Sequence, residues 1–152
     1  MKIIEIKVLR GPNFWSVRRT KLIQLKLDLE EMEDRPTNTI PGFKERLDKL
    51  MPTLYEHRCS EGHPGGFYER VTEGTWMGHV IEHIALELQT LAGMDTGFGR
   101  TRGTGVEGEY YVCFSYIEED AGVYAARAAV RVARALIDDQ PYATKEDIMR
   151  MR

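Results

Sequence analysis

Two histidines and a glutamate stand close together in the segment His79-Val80-Ile81-Glu82-His83. On an α-helix, residues four apart lie one turn apart on the same face, so both imidazoles can bind one metal ion. A zinc ion held there lowers the pKa of a bound water towards ~7 and makes hydroxide available at neutral pH. Glu82, at the border of that face, would take the proton and pass it to the leaving amine. The segment therefore predicts a zinc-dependent hydrolase site with Glu82 as its catalytic residue.

The order His-x-x-Glu-His is that of the inverzincin metallopeptidases, the reverse of the more common zinc motif. A motif with three fixed positions also arises by chance, and the alternative is the solvated side of an amphipathic helix. The apolar residues of this stretch gather on the opposite arc: Met77, Val80, Ile81, Ile84, Leu88 and Leu91. Leu86 lies among the polar residues, so their arc is not simply a solvated face.

A catalytic zinc needs a third protein ligand and an open position. Glu118, Glu119 and Asp120 begin a later alanine-rich segment, and of these we favour Glu119 as the ligand. The alternative is that these carboxylates only complement the dipole of a helix start. Glu87 lies one turn beyond His83, too far along the axis for a direct bond. We expect Glu87 to orient His83 through its free ring nitrogen.

Two further segments carry polar residues that could bind a ligand. Cys59 and His63 are a possible metal-binding pair, but two ligands do not make a site, and a turn-rich loop over 57–66 is the simpler interpretation. In a glycine-rich segment further along, Arg100 and Arg102 could clamp a substrate carboxylate bidentately. The alternative is a tight connection with solvated arginines.

The elements that would position these residues follow from hydrophobic periodicity and end signals. Strands are predicted over 2–10, 22–30 and 109–117, with a brief strand over 67–71 and a loop over 95–108. Helices are predicted over 42–51, from Thr75 as N-cap to Gly93 as the glycine beyond the end, over 118–137, and from Thr144 onwards. Together these elements predict an α/β fold of the α+β type. It would be a two-layer sandwich of a small mixed or antiparallel sheet with helices packed on one face.

The composition predicts one soluble domain over residues 1–152, with 42% hydrophobic and 30% charged residues. A formal net charge of -3 gives no basic excess for nucleic acid. No apolar run approaches the length of a bilayer span, and charges interrupt the N-terminal apolar pattern, unlike a signal peptide. The two cysteines, Cys59 and Cys113, form no disulfide framework and suit a reducing cytoplasm. We therefore expect a cytoplasmic domain with no nucleic-acid or membrane partner.

Longer stretches of the chain resemble the opening of cyanophycin synthetases. They are RGPNFWSVRRTKLIQLKLDLEE from residue 10, IPGF at 40–43, GGFYERVTEGTWMGHVIEHIALELQTLAGM at 65–94, GFGRTR at 97–102 and AGVYAARAAV at 121–130. The match covers nearly the whole chain. RGPN-x-W-S-x-R-R followed by GH-x-x-EH-x-ALELQ-x-LAGM is specific rather than generic.

The resemblance implies a parent enzyme that uses ATP to join aspartate and arginine into a polyaspartate with arginine on each side chain. Its ATP and Mg2+ chemistry would lie in ATP-grasp and Mur-ligase-like domains that are absent from these residues. This N-terminal domain would hold the polymer, cyanophycin, and in many members cut it into primers. The motif residues of that site correspond to His79, Glu82 and His83. A cysteine stands in the family where this chain has His63, a departure that weakens any metal role for Cys59.

Three functions remain open from the sequence. The first is a Zn2+-dependent hydrolase acting on cyanophycin, and the second is a non-catalytic module that holds the polymer for the ligase domains. The third is an oligomerisation domain built on the alanine-rich helix, and we expect the parent to be a homo-oligomer. A polymer site would need acids for guanidinium groups, for which Glu87, Glu107 and Glu109 are candidates, and arginines for carboxylates.

Overall fold

The computed structural model describes the backbone of residues 1–152 and every side chain except that of Ser60. The strands are β1 (Lys2–Leu9), β2 (Leu22–Asp28), β3 (Gly99–Gly103) and β4 (Glu109–Ser115). The α-helices are α1 (Phe43–Leu50), α2 (Gly66–Glu73), α3 (Met77–Leu91), α4 (Glu119–Ile137) and α5 (Thr144–Met151). Short helical turns lie at Glu30–Asp34, Thr37–Thr39, Pro52–Glu56 and Cys59–Glu61. Among the described residues, no helix combines the length and apolar character that crossing a membrane requires.

The four strands form one antiparallel sheet in the order β1-β2-β4-β3. Side chains alternate between its faces, so cross-strand pairs such as Ile23 with Phe114 and Leu25 with Val112 share one apolar face. On that face α3 lies over β3 and β4, while α4 lies over β1 and β2. The predicted two-layer α+β arrangement, with an antiparallel sheet and helices packed against it, is confirmed.

Two segments differ from their predicted structure. Residues 67–71 form part of helix α2 rather than a strand. Phe67, Tyr68 and Val71 are buried, and their spacing places them on one helical face as readily as on a strand. The predicted loop over 95–108 contains the edge strand β3, which begins and ends on glycine and has no apolar alternation to reveal it.

The central helix α3 buries both of its arcs. Its apolar arc fills the core, and Gly93 beyond its end adopts the predicted left-handed conformation with φ 96°. The N-cap is Trp76 rather than Thr75. Glu82 and His83 are only 6% exposed and Glu87 only 3%. Burying such polar groups costs free energy unless they have hydrogen-bonding or ionic partners, so we expect Glu82, His83 and Glu87 to have partners around them.

Candidate metal centre

Three side chains that can bind a metal converge at the N-terminal half of α3: Cys59, His79 and His83. Nε2 of His83 lies 3.1 Å from Nε2 of His79, and Sγ of Cys59 also lies 3.1 Å from Nε2 of His79. The three donor atoms all fall within 4.8 Å of one another. In a tetrahedral zinc site such donors are separated by about 3.3–3.6 Å. The cluster therefore has a spacing close to that of a zinc ligand set.

Both histidines of the cluster favour the neutral form. Burial, together with the charge of Arg70, lowers the pKa of His79 to about 4. Burial also lowers the pKa of His83 well below its usual value, with repulsion from His79 and His57 acting in the same direction. Neutral imidazole is the form that binds a metal, and two imidazoles with a thiolate are a donor set that zinc accepts. Three protein donors also leave the fourth position open for a water or a substrate atom.

The turn that carries Cys59 is held in an unusual conformation. Cys59 has a φ of 53°, in the left-handed region that costs a residue with a side chain roughly 1–2 kcal/mol. Gly66, at the start of α2, packs so closely on this turn that an added Cβ would collide with the main-chain oxygen of Arg58. Packing against α2 therefore fixes the position from which Cys59 reaches the histidines.

The structure separates Cys59 from His63. The sequence favours a turn-rich loop over 57–66 without excluding a metal role for Cys59, and the structure places the sulfur of Cys59 against His79. His63 is exposed and its Nε2 lies 2.7 Å from Oε1 of Glu69, away from the cluster. The i, i+4 spacing on one helix revealed His79 and His83, whereas no local spacing links Cys59 to a helix twenty residues further on.

Glu119, favoured from the sequence as the third ligand, lies elsewhere. Its carboxylate forms an ion pair with Arg10, just beyond β1, with Nε of Arg10 2.8 Å from Oε2. Helix α4 begins near the C-terminal end of α3, where the Gln89 amide donates to the main-chain oxygen of Ser115. At 1.5 Å per residue, Gln89 is about 15 Å along the axis from His79. The structure therefore does not bring Glu119 to the histidines.

His57 connects the cluster to a second set of side chains. Nothing in the sequence identified His57 as part of the site. Nδ1 of His57 lies 2.8 Å from Nδ1 of His83, and Nε2 of His57 lies 2.8 Å from Oε2 of Glu87. The Thr53 hydroxyl donates to the other oxygen of Glu87. Glu87 thus reaches His83 through His57, rather than directly as predicted. Such outer partners fix the orientation of a metal-binding imidazole.

The rings of the cluster are also held by contacts with Thr75 and Phe67. The Thr75 hydroxyl lies 2.9 Å from Nδ1 of His79, so the residue predicted as a helix cap instead holds a candidate ligand. Phe67 stacks on His83 with ring centroids 4.1 Å apart, and its edge-to-face contact with His79 has a centroid separation of 5.6 Å. Helix α2 therefore packs an aromatic ring against both histidines.

Glu82 lies beside the cluster, on the side of α3 that faces β3. The Thr101 hydroxyl donates to its Oε2 at 2.6 Å. A Cβ at Gly99 would lie 2.5 Å from its Oε1, so only glycine leaves room for the carboxylate there. Burial raises the pKa of Glu82 to about 7, although the bond from Thr101 opposes the shift. A carboxyl group with this pKa can both accept and return a proton near neutral pH.

These side chains line one cavity of about 1060 Å³. Its wall includes Cys59 and the two histidines of the cluster together with Glu82, and also the predicted Arg100 and Arg102. Acidic residues contribute as well, namely Glu56, Glu87 and Asp95. The other predicted acids are not in this wall: Glu107 is exposed, and Glu109 pairs with Lys26. The cavity therefore brings both signs of charge to the candidate metal centre.

In this α+β fold a candidate metal cluster and a buried glutamate share one charged cavity. The chain belongs to the cyanophycin synthase-like N-terminal domain family, which matches residues 24–138. It is 57% identical over 146 residues to the cyanophycin synthetase of Synechocystis sp. and 58% identical over 146 residues to that of Geminocystis herdmanii. Each match covers 96% of this chain, which spans only 17% of the length of these relatives. The resemblance seen in the sequence is confirmed.

Proposed function

We propose that this domain is a zinc-dependent hydrolase that cuts cyanophycin, the polymer of aspartate and arginine, into primers for its synthesis. The observation that carries the proposal is the meeting of Cys59, His79 and His83 next to the buried Glu82 in one cavity. Three ligands with an open fourth position, beside a carboxyl group of raised pKa, are the parts that metal-assisted hydrolysis requires.

In this proposal Cys59, His79 and His83 would hold the zinc, which when bound would supply an acidified water as the nucleophile. Glu82 would act as the general base and acid, holding a proton on its carboxylate and passing it to the leaving amine. The hydrogen bond from Thr101 holds the carboxylate of Glu82 in place during this exchange. His57 and Glu87 keep the ring of His83 in one orientation.

The charges of the cavity suit this polymer, whose branches end in a guanidinium and a carboxylate. Arg100 and Arg102 would bind carboxylates, since a guanidinium pairs with them bidentately. Glu56 and Asp95 would attract guanidinium groups, whereas both carboxylate oxygens of Glu87 already have hydrogen-bonding partners. The same residues would disfavour a substrate that carries only one sign of charge.

The decisive experiment incubates the purified domain with cyanophycin, with and without a chelator, and measures its zinc content alongside the length of the polymer. We expect about one zinc per chain and shortening that the chelator stops. Glu82→Gln should bind zinc but cut at least about a hundredfold more slowly, because general base catalysis contributes that much. Glu73→Gln, an exposed glutamate at the end of α2, is the matched control and should cut normally. Full activity of Glu82→Gln would overturn the proposal.

A non-catalytic holding domain is the second candidate, because both signs of charge around the cavity suit the polymer whether or not a bond is cut. Binding of cyanophycin without zinc and without shortening would support it. Since the relatives are about six times longer, we infer that ATP-grasp and Mur-ligase-like domains elsewhere in the parent use ATP and Mg2+ to extend the polymer. Either candidate would act as their partner, in a parent that we expect to be homo-oligomeric.

A further inference from the structure

The cavity has one wall made of main chain. Strand β3 is the edge of the sheet, paired only with β4. All five of its residues, Gly99–Gly103, line the cavity, although they include two glycines. The side chains of consecutive strand residues point to opposite faces of a sheet. Because consecutive residues of β3 all line the cavity, this wall includes their main chain as well as side chains.

The hydrogen bonds at the two ends of β3 show which main-chain groups face outwards. Ser115 donates its N–H to the oxygen of Phe98 at 2.9 Å, and Thr104 donates its N–H to the oxygen of Glu109 at 3.1 Å. In an antiparallel pair, every second residue bonds to the neighbouring strand. Arg100 and Arg102 alternate in step with Phe98 and Thr104 along the strand, so their amides point towards β4.

The intervening residues Gly99, Thr101 and Gly103 therefore direct their N–H and C=O groups away from the sheet. Among the described residues, no hydrogen bond outside the strand ladders ends on these main-chain groups. Gly103 is exposed, and a Cβ added there would meet nothing within 4 Å. Three unpaired main-chain positions thus lie open along the edge.

We propose that the substrate binds to this edge as an added β-strand, with its main chain hydrogen-bonded to Gly99, Thr101 and Gly103. The identity of the substrate as cyanophycin rests on the function proposed above. A strand added at the usual spacing of about 4.8 Å forms main-chain bonds whatever its side chains are. Thr101 also bonds to Glu82, so the added strand runs past the carboxylate that would move the proton.

The charges on β3 favour a chain that carries carboxylates over a second copy of the domain. If two β3 strands paired antiparallel about Thr101, Arg100 of each strand would lie opposite Arg102 of the other. Like charges directly opposite each other destabilise a strand pair. A chain that carries carboxylates would meet the same arginines with opposite charge. The short edge therefore accepts an extended chain with carboxylate groups better than it accepts a second β3 strand.

The test uses two variants of one exposed residue. Gly103→Pro removes an outward N–H without touching the ladder to β4, whereas Gly103→Ala keeps that N–H and adds a methyl group in open space. We expect Gly103→Pro to bind soluble cyanophycin about tenfold more weakly, as for loss of a main-chain hydrogen bond, and Gly103→Ala to bind within about twofold of the native chain. Zinc content and melting temperature, measured on both variants, show whether they are folded.

A second probe covers the case in which Gly103→Pro fails to fold. A short aspartate–arginine oligomer methylated on every main-chain nitrogen should bind the native domain at least about tenfold more weakly than the unmethylated oligomer, because it cannot donate to the edge. The inference would be overturned if the methylated and unmethylated oligomers bound equally well. It would also be overturned if Gly103→Pro and Gly103→Ala bound cyanophycin equally well, or if both lost the same affinity. A native dimer that Gly103→Pro converts to a monomer would overturn it as well. Because binding is measured rather than cleavage, a domain that binds in this way but never cuts would contradict only the proposed hydrolysis.

Discussion

At the scale of single residues, the metal proposal depends most on Cys59. Its sulfur is the one donor that does not come from α3, and its main chain is held in the left-handed region. The other cysteine, Cys113, is fully buried, and burial, with the charge of Glu82 nearby, raises the pKa of its thiol to about 12. The two cysteines therefore have different chemistry, which makes Cys113 a suitable control.

We predict that Cys59→Ser lowers zinc affinity by more than about a hundredfold, because the thiolate is replaced by a neutral hydroxyl. Competition with a chromogenic chelator gives the affinity. Cys113→Ala should keep the affinity of the native chain while losing some thermal stability, since it leaves a small cavity in the core. Native zinc affinity in Cys59→Ser would remove Cys59 from the ligand set.

His57 supports a second residue-scale prediction. His57→Phe keeps a ring beside Phe67 but removes both nitrogens that join His83 to Glu87. We expect zinc affinity to fall about 10–100-fold, the usual effect of losing an outer partner of a ligand. His63→Phe changes an exposed histidine of the same loop and should leave the affinity unchanged. If both variants bind zinc equally well, His57 does not orient His83.

At the scale of elements, the contact between α2 and the turn at Cys59–Glu61 holds the third donor in place. Gly66→Ala would force a methyl group against the main-chain oxygen of Arg58 and the side chain of Glu61. We expect a loss of about 1–3 kcal/mol in the free energy of unfolding, the usual cost of overpacking. Zinc affinity should fall as well, because the turn carrying Cys59 must shift.

Gly11→Ala is the control for this prediction. Gly11 has no heavy atom within 4 Å of an added Cβ and does not have positive φ, so the extra methyl group is accommodated. Chemical denaturation and zinc titration of both variants provide the measurement. A Gly66→Ala domain with native stability and affinity would show that α2 does not position the turn.

At the scale of the whole molecule, Asp147 fastens α5 to α4. Its carboxylate accepts hydrogen bonds from Tyr124 and Tyr142, both at 2.7 Å, and from Arg131 at 3.0 Å. Burial alone would raise the pKa of Asp147, but these hydrogen bonds outweigh it and leave the pKa below its usual value. A carboxylate with a lowered pKa stabilises the folded chain above the unfolded pKa and loses that effect as pH falls towards the folded value.

We therefore predict that Asp147→Asn lowers the free energy of unfolding by about 1–3 kcal/mol at neutral pH, because hydrogen bonds to a charged group are lost. The difference from the native chain should shrink as the pH falls below about 4, where the unfolded aspartate becomes protonated. Denaturation at several pH values measures it. Asp48→Asn, at an exposed position on α1, should show neither effect. A difference that stays constant down to pH about 3 would contradict this origin.

The sequence by itself determined the parts whose signal is local. Periodicity along the chain predicted β1, β2, β4, α1, α3, α4 and α5 close to their observed bounds. The i, i+4 spacing was sufficient to pair His79 with His83, since one helical turn separates them whatever surrounds the helix. Long specific motifs indicated the family, and the family comparison confirmed it.

Only the tertiary structure decided the rest of the site. Cys59 and His57 reach α3 because α2 and the preceding turns fold back onto it, and contacts between distant segments leave no periodic signal in the chain. Phe67 faces two histidines because packing made its short apolar run a helix rather than a strand. Strand β3 has no apolar alternation because Gly99 and Thr101, on the side that faces α3, lie against the carboxylate of Glu82 rather than an apolar surface. Pairing with β4 alone makes it a strand. Local sequence thus determined the helix that carries the candidate ligands His79 and His83, and tertiary packing brought Cys59 and His57 to it.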